Sequence, residues 1–124
     1  MAIWQVILIF GIITVAFDGI WATIAQRTGY AYSKGIWGSF LLYAIAGGMA
    51  FQNSDFLTGM LAGGGVAGVD ATIGWWVSWI IGPGRLPDTI AKEARPNAII
   101  KAIIRVTMMG AIFGFLGALV KLIF

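Results

Sequence analysis

Four long apolar stretches dominate the chain, separated by three polar connections. Residues 2–25 are apolar apart from a few positions, notably Gln5 and Asp18. Residues 34–51 form a shorter stretch. Residues 56–82 are long and carry Asp70, and residues 98–124 carry Lys101, Arg105 and Lys121. A helix that crosses a bilayer needs about 20 mainly apolar residues. A lipid-facing backbone must satisfy its own hydrogen bonds, which restricts spanning segments to helices and closed barrels, and the strict alternation of barrel strands is absent here. The pattern predicts an all-α integral membrane protein, with four transmembrane helices in a compact bundle that forms one domain over 1–124. The second span is short, so it must borrow Ser33–Gly35 or sit where the bilayer thins. The first run lacks a basic leader and is too long for a signal core, so it is expected to be retained.

The connections differ in charge. Residues 26–35 contain Arg27 and Lys34, residues 52–55 (QNSD) contain no base, and residues 82–97 contain Arg85, Lys92 and Arg95. Both basic connections fall on one side of the membrane. The positive-inside rule then places them in the cytoplasm of a bacterial-type inner or plasma membrane, with both termini outside. Gly82-Pro83-Gly84 ends the third span. Asp88 can cap a short interfacial helix near 88–95, and Pro96 suits the first turn of the fourth span.

Composition supports a lipid solvent. The chain is 60% hydrophobic and 10% charged, against about 45–50% and 25% in soluble domains. A soluble fold of 124 residues could not hide that much apolar surface. The absence of cysteine and histidine removes disulfides, thiolate chemistry and the usual zinc and haem ligands, so neither a metal nor a cofactor is expected. The net charge of +3 reads as a topology signal rather than a nucleic-acid footprint.

Charge inside the spans is the candidate chemistry. Asp18 lies about 13 Å before Arg27, Asp70 about 18 Å before Gly82, and Arg105 about 12 Å after Asn97, at 1.5 Å per residue. Lys101 sits one turn from Arg105. An isolated ionised side chain at the bilayer centre costs at least about 2.5–3.5 kcal/mol, so pairing or access to water is expected. The expected pair is Asp70 with Arg105, with Asp18 joining through Lys101 or sharing Arg105. The stretches around the two acids also look alike: Gly11 and Gly63 each precede an aspartate by seven residues, and Ala22 and Gly74 each follow by four. Two repeated helical hairpins in parallel orientation would produce this pattern.

Small residues mark contact faces. Gly59 and Gly63, Gly64 and Gly68, and Gly110 and Gly114 are GxxxG pairs, the last extended by Gly117 and Ala118. Such faces let helix backbones approach closely, within the chain or toward a partner. Gly63-Gly64-Gly65 is also a candidate break in the third helix. Trp21, Trp37, Trp75, Trp76 and Trp79 fall toward the basic side and Trp4 toward the other, as in an interfacial aromatic belt; a stacking site for a lipid, quinone or pigment is the second reading.

No nucleophile–base arrangement is evident, so an enzyme is not expected. In length the chain matches small multidrug transporters and dual-topology fluoride channels. However, its first span has no glutamate and its loop charges are one-sided, and neither resemblance is adopted. The features fit best a non-catalytic membrane subunit that packs with itself or with a larger membrane complex through its glycine faces, with Asp/Arg pairs holding the bundle. The alternative is an oligomeric ion- or proton-coupled channel or transporter that uses Asp18 and Asp70.

Overall fold

The computed structural model describes residues 2–29, 35–51, 55–81 and 95–124. The expected interfacial helix near 88–95 lies almost wholly outside these residues. The described chain is all helical: α1 (Ile3–Thr28), α2 (Ile36–Ala50), α3 (Phe56–Ile81) and α4 (Arg95–Ile123). α1, α3 and α4 are long and apolar enough to cross a membrane. α2 has 15 residues, about 22 Å at 1.5 Å per residue, which is short of a hydrocarbon core of about 30 Å.

Local sequence accounts for the helix ends. Gln5, the first polar residue in the apolar run, folds back so that its Oε1 accepts from the Ala2 N–H at 2.9 Å. Gly29 closes α1 in the left-handed conformation, φ 78°, where a residue without Cβ is unstrained. Asp55 caps α3: its Oδ1 accepts from the Leu57 N–H at 3.1 Å and its Oδ2 accepts from the Thr58 hydroxyl at 2.8 Å. These bonds satisfy donors that the first turn of a helix otherwise leaves open, and they hold the Asp55 carboxyl below its ordinary range. Pro96 falls in the first turn of α4, where its missing N–H costs nothing.

α1 packs on α2 and α3, α4 packs on α2 and α3, and α2 meets α3 across the middle. α1 and α4 do not approach each other. Each helix turns one stripe inward. On α1 it is Val6, Phe10, Gly11, Thr14, Asp18, Ala22 and Ala25; on α4 it is Gly110, Gly114 and Ala118. Outward positions such as Leu8, Ile12, Ile20, Ile104 and Met108 are large, apolar and exposed. That is the arrangement expected when lipid rather than water surrounds the bundle.

The glycines expected to mark contact faces lie at the junction of α2, α3 and α4. A Cβ on Gly63 would fall under 3.0 Å from the Gly110 carbonyl oxygen; on Gly114, from the Gly59 oxygen; on Gly117, from the Ala44 oxygen; and on Gly110, from the Ala67 Cβ. Gly64 and Gly68 face Ala111 and Thr107 of α4 at ordinary contact distance. All seven therefore look toward neighbours in the same chain. α3 runs unbroken through Gly63-Gly64-Gly65. Its irregularity comes later: Asp70–Gly74 is one π turn, in which the Trp75 N–H reaches back to the Asp70 carbonyl.

Candidate functional site

Asp18 of α1 and Asp70 of α3 meet inside the bundle. α1 and α3 run side by side, with Gly11 against Val69 and Gly19 against Val77. In this parallel register Gly74 lies between the levels of the two acids, and the two carboxyls reach it from either side. Both residues are buried, 8% and 7% exposed. Asp18 Oδ2 and Asp70 Oδ1 converge over Gly74, where a Cβ would come within 3.0 Å of both. The small residue four positions after Asp70 thus makes room for the carboxyl of the other helix. The π turn widens the helix at this point, and Thr72 loosens it further, its hydroxyl donating to the Gly68 carbonyl at 2.8 Å. Such turns interrupt regular helices most often at functional sites.

Tyr43 completes the cluster. It projects from α2, is 1% exposed and donates its hydroxyl proton to Asp70 Oδ2. Ser39, one turn earlier on α2, is buried and lines the same cavity. A hydrogen bond to an ionised acceptor is roughly twice as strong as a neutral one, so Tyr43 stabilises negative charge on Asp70. Asp70 Oδ1 receives no such donor: it is buried without a hydrogen-bond partner. The Asp18 carboxyl is the group that faces it over Gly74, and two carboxyls can hydrogen-bond to each other only if one of them carries a proton. With a proton on Asp18, both oxygens of Asp70 are satisfied.

The acids form the floor of a cavity of about 260 Å³. Its wall takes Trp21 from α1, Gly35 just before α2, Ile36 and Phe40 from α2, Trp75 from α3, and Ala102 and Val106 from α4. Gly35 and Ile36 stand at the start of α2, so the cavity reaches from mid-bundle to the end that carries the basic connections. Phe40 seals its inner side by stacking on Phe113 of α4, with ring centres 4.5 Å apart and planes at 18°. Among the described residues the wall contains no basic side chain.

The expected Asp70–Arg105 pair does not form. Lys101 and Arg105 are exposed, on an outer groove with Met108 and Ile112, and among the described residues neither pairs with an acid. Two physical reasons account for this. Arg105 lies nine residues before Gly114, about half a turn away at 100° per residue, so turning the glycine stripe inward turns Arg105 out. And α1 and α4 are not neighbours, which also removes Asp18 from the reach of Lys101.

The tryptophans divide. Trp4, Trp37 and Trp76 are more than half exposed. Trp21 and Trp75 line the cavity, and Trp79 packs edge-on against Trp75 at 5.8 Å. Tyr43, Ser39 and Phe40 were not legible as site residues: all lie in α2, which carries no charged residue, and their one signal was polar Ser39 and Tyr43 four apart on a single face. Among the described residues no group of three or more Asp, Glu, His or Cys converges that could hold a metal ion. Comparison with known protein families, curated proteins and solved structures finds no match to this chain.

Proposed function

We propose that this chain is a small ion- or proton-coupled membrane transport protein, acting as an oligomer or within a larger membrane assembly, whose working groups are Asp18 and Asp70. The observation that carries the reading is the pair of buried carboxyls facing each other at the floor of a cavity that extends to one end of the bundle. Acids within membrane helices are costly and serve most often as proton or cation relays. This pair borders the cavity, and Asp70 Oδ1 is buried without a hydrogen-bond partner, whereas a pair that only holds helices together is expected to be fully bonded. All four helices cross the bilayer in this reading, with the short α2 in a locally thinned region, and the basic connections face the cytoplasm, so the cavity opens inward.

The subunit reading drew on glycine faces free for a partner. Those glycines face neighbours within the chain, which moves the balance toward transport. The test is flux of protons and monovalent cations into liposomes that contain the purified protein. Flux is expected in the wild type and is lost in Asp70→Asn and Asp18→Asn variants that melt normally in detergent. An absence of flux under an imposed gradient, or flux indifferent to both substitutions, overturns the reading.

A further inference from the structure

We propose that the cavity binds a monovalent organic cation, an alkyl- or aryl-substituted ammonium about the size of benzyltrimethylammonium, and that its entry displaces the proton held between Asp18 and Asp70. The inference rests on the transport reading and names its cargo. Three features select this chemistry. The floor is acidic and, among the described residues, the wall holds no base. The wall itself is largely aromatic, with the rings of Trp21, Phe40, Tyr43 and Trp75 around one space, and the negative faces of such rings attract cations, quaternary ammonium groups above all. The cavity, finally, has a volume of about 260 Å³, room for a substituted ammonium and far more than a bare ion fills.

The exchange balances. In the empty site Asp18 is a carboxylic acid that donates to Asp70 Oδ1, and Asp70 is a carboxylate that also accepts from Tyr43; the net charge is one negative. When the cation enters, the Asp18 O–H bond breaks and its proton leaves to water along the cavity. Two carboxylates then face one cation, and the net charge is again one negative. No covalent bond to the cargo forms. Because the charge held inside the membrane is the same in both states, the exchange avoids the penalty of adding an ion to a low-dielectric interior. Gly74 keeps the space over the two carboxyls free of a side chain.

The experiment titrates the purified full-length protein, in weakly buffered detergent solution, with benzyltrimethylammonium chloride against sodium chloride at equal ionic strength. Tryptophan fluorescence reports binding and an indicator dye reports released protons. The wild type is expected to show saturable quenching, about one proton released per cation, and affinity that rises about tenfold per pH unit while the site is protonated. Asp70→Asn removes the carboxylate and lowers affinity at least about tenfold. Asp18→Asn replaces the acid by a neutral amide donor, so the cation still binds but releases no proton and its affinity no longer follows pH. The proposal is overturned by an absence of saturable quenching in the wild type, by equal binding in Asp70→Asn, or by equal proton release with sodium chloride. If the cation fails to bind while Asp70-dependent flux persists in liposomes, the cargo is wrong and the transport reading stands; if flux is also absent, both fall.

Discussion

At one end of the bundle α2, α3 and α4 touch through backbone; at the other the helices stand apart around a cavity. The closed end is made by Gly47, Gly59, Gly63, Gly110, Gly114 and Gly117, where a single added carbon would meet a neighbouring helix. The open end carries Trp21, Phe40, Tyr43 and Trp75, whose rings hold the helices apart. In lipid there is no hydrophobic drive to bring helices together, so contact area decides where they close. Small residues at one end and rings at the other turn one set of four helices into a clamp with a fixed pivot and a cavity. The polar groups then lie where close packing is already given up, and Asp70 is held by the Tyr43 hydroxyl rather than by a base.

The sharpest way to break the contrast is one methyl group at each end. Gly63→Ala drives a Cβ into the Gly110 carbonyl, which is backbone and cannot rotate away; overpacking of this kind should cost about 3 kcal/mol, read as a lower Tm in detergent. An unchanged Tm would show that the closed end is not rigid. Tyr43→Phe comes next: it leaves Asp70 Oδ2 without its donor in a buried site, for an expected loss of about 1–3 kcal/mol. Melting equal to wild type would mean that water replaces the hydroxyl.

Gly74→Ala meets only the tips of two flexible side chains, so stability should change by about 1 kcal/mol or less, while flux that depends on Asp70 falls sharply because the carboxyls can no longer converge. Equal losses in Gly63→Ala and Gly74→Ala would erase the distinction between the two ends. A smaller effect is expected at Asp55, which caps α3 at the closed end. Its carboxyl is held below the ordinary value of 3.8, chiefly by the Thr58 hydroxyl. The cap is therefore fully present above that value and is lost as pH falls through the lower value of the folded chain. Asp55→Asn keeps a capping side chain without the titration, so the difference in Tm between wild type and variant should narrow on going from pH 6 to pH 3. A gap that stays constant would remove Asp55 from the acid response. The smallest effect belongs to Arg105→Ala. An Asp70–Arg105 pair would make the substitution costly, about 3–5 kcal/mol, whereas an outward arginine predicts a change within about 0.5 kcal/mol. A large loss there would restore the buried ion pair.

Much of the fold was legible because lipid imposes long apolar runs on any helix that crosses it. The four helices, their order and the polar connections between them follow from that constraint. Asp18 and Asp70 were legible for the same reason, as costly groups that needed a partner. Their partner was not legible from charge alone: opposite sign points to Arg105, whereas helix rotation turns Arg105 outward. The information needed to choose was present: Gly110, Gly114 and Ala118 mark the inward face of α4, and Arg105 lies half a turn from it. Asp55 was legible in principle as an acid just before an apolar run, with a threonine three residues on.

The apolar pattern by itself determined that this protein is a set of helices, three of them long and apolar enough to cross a membrane, and that acids within them demand compensation, because hydropathy is a property of single residues. Only the tertiary structure decided that Asp18 meets Asp70, that Tyr43 supplies the donor, and that Lys101 and Arg105 stay outside. Those choices depend on which helices are neighbours and how each is rotated, and the glycine contacts among α2, α3 and α4 set both.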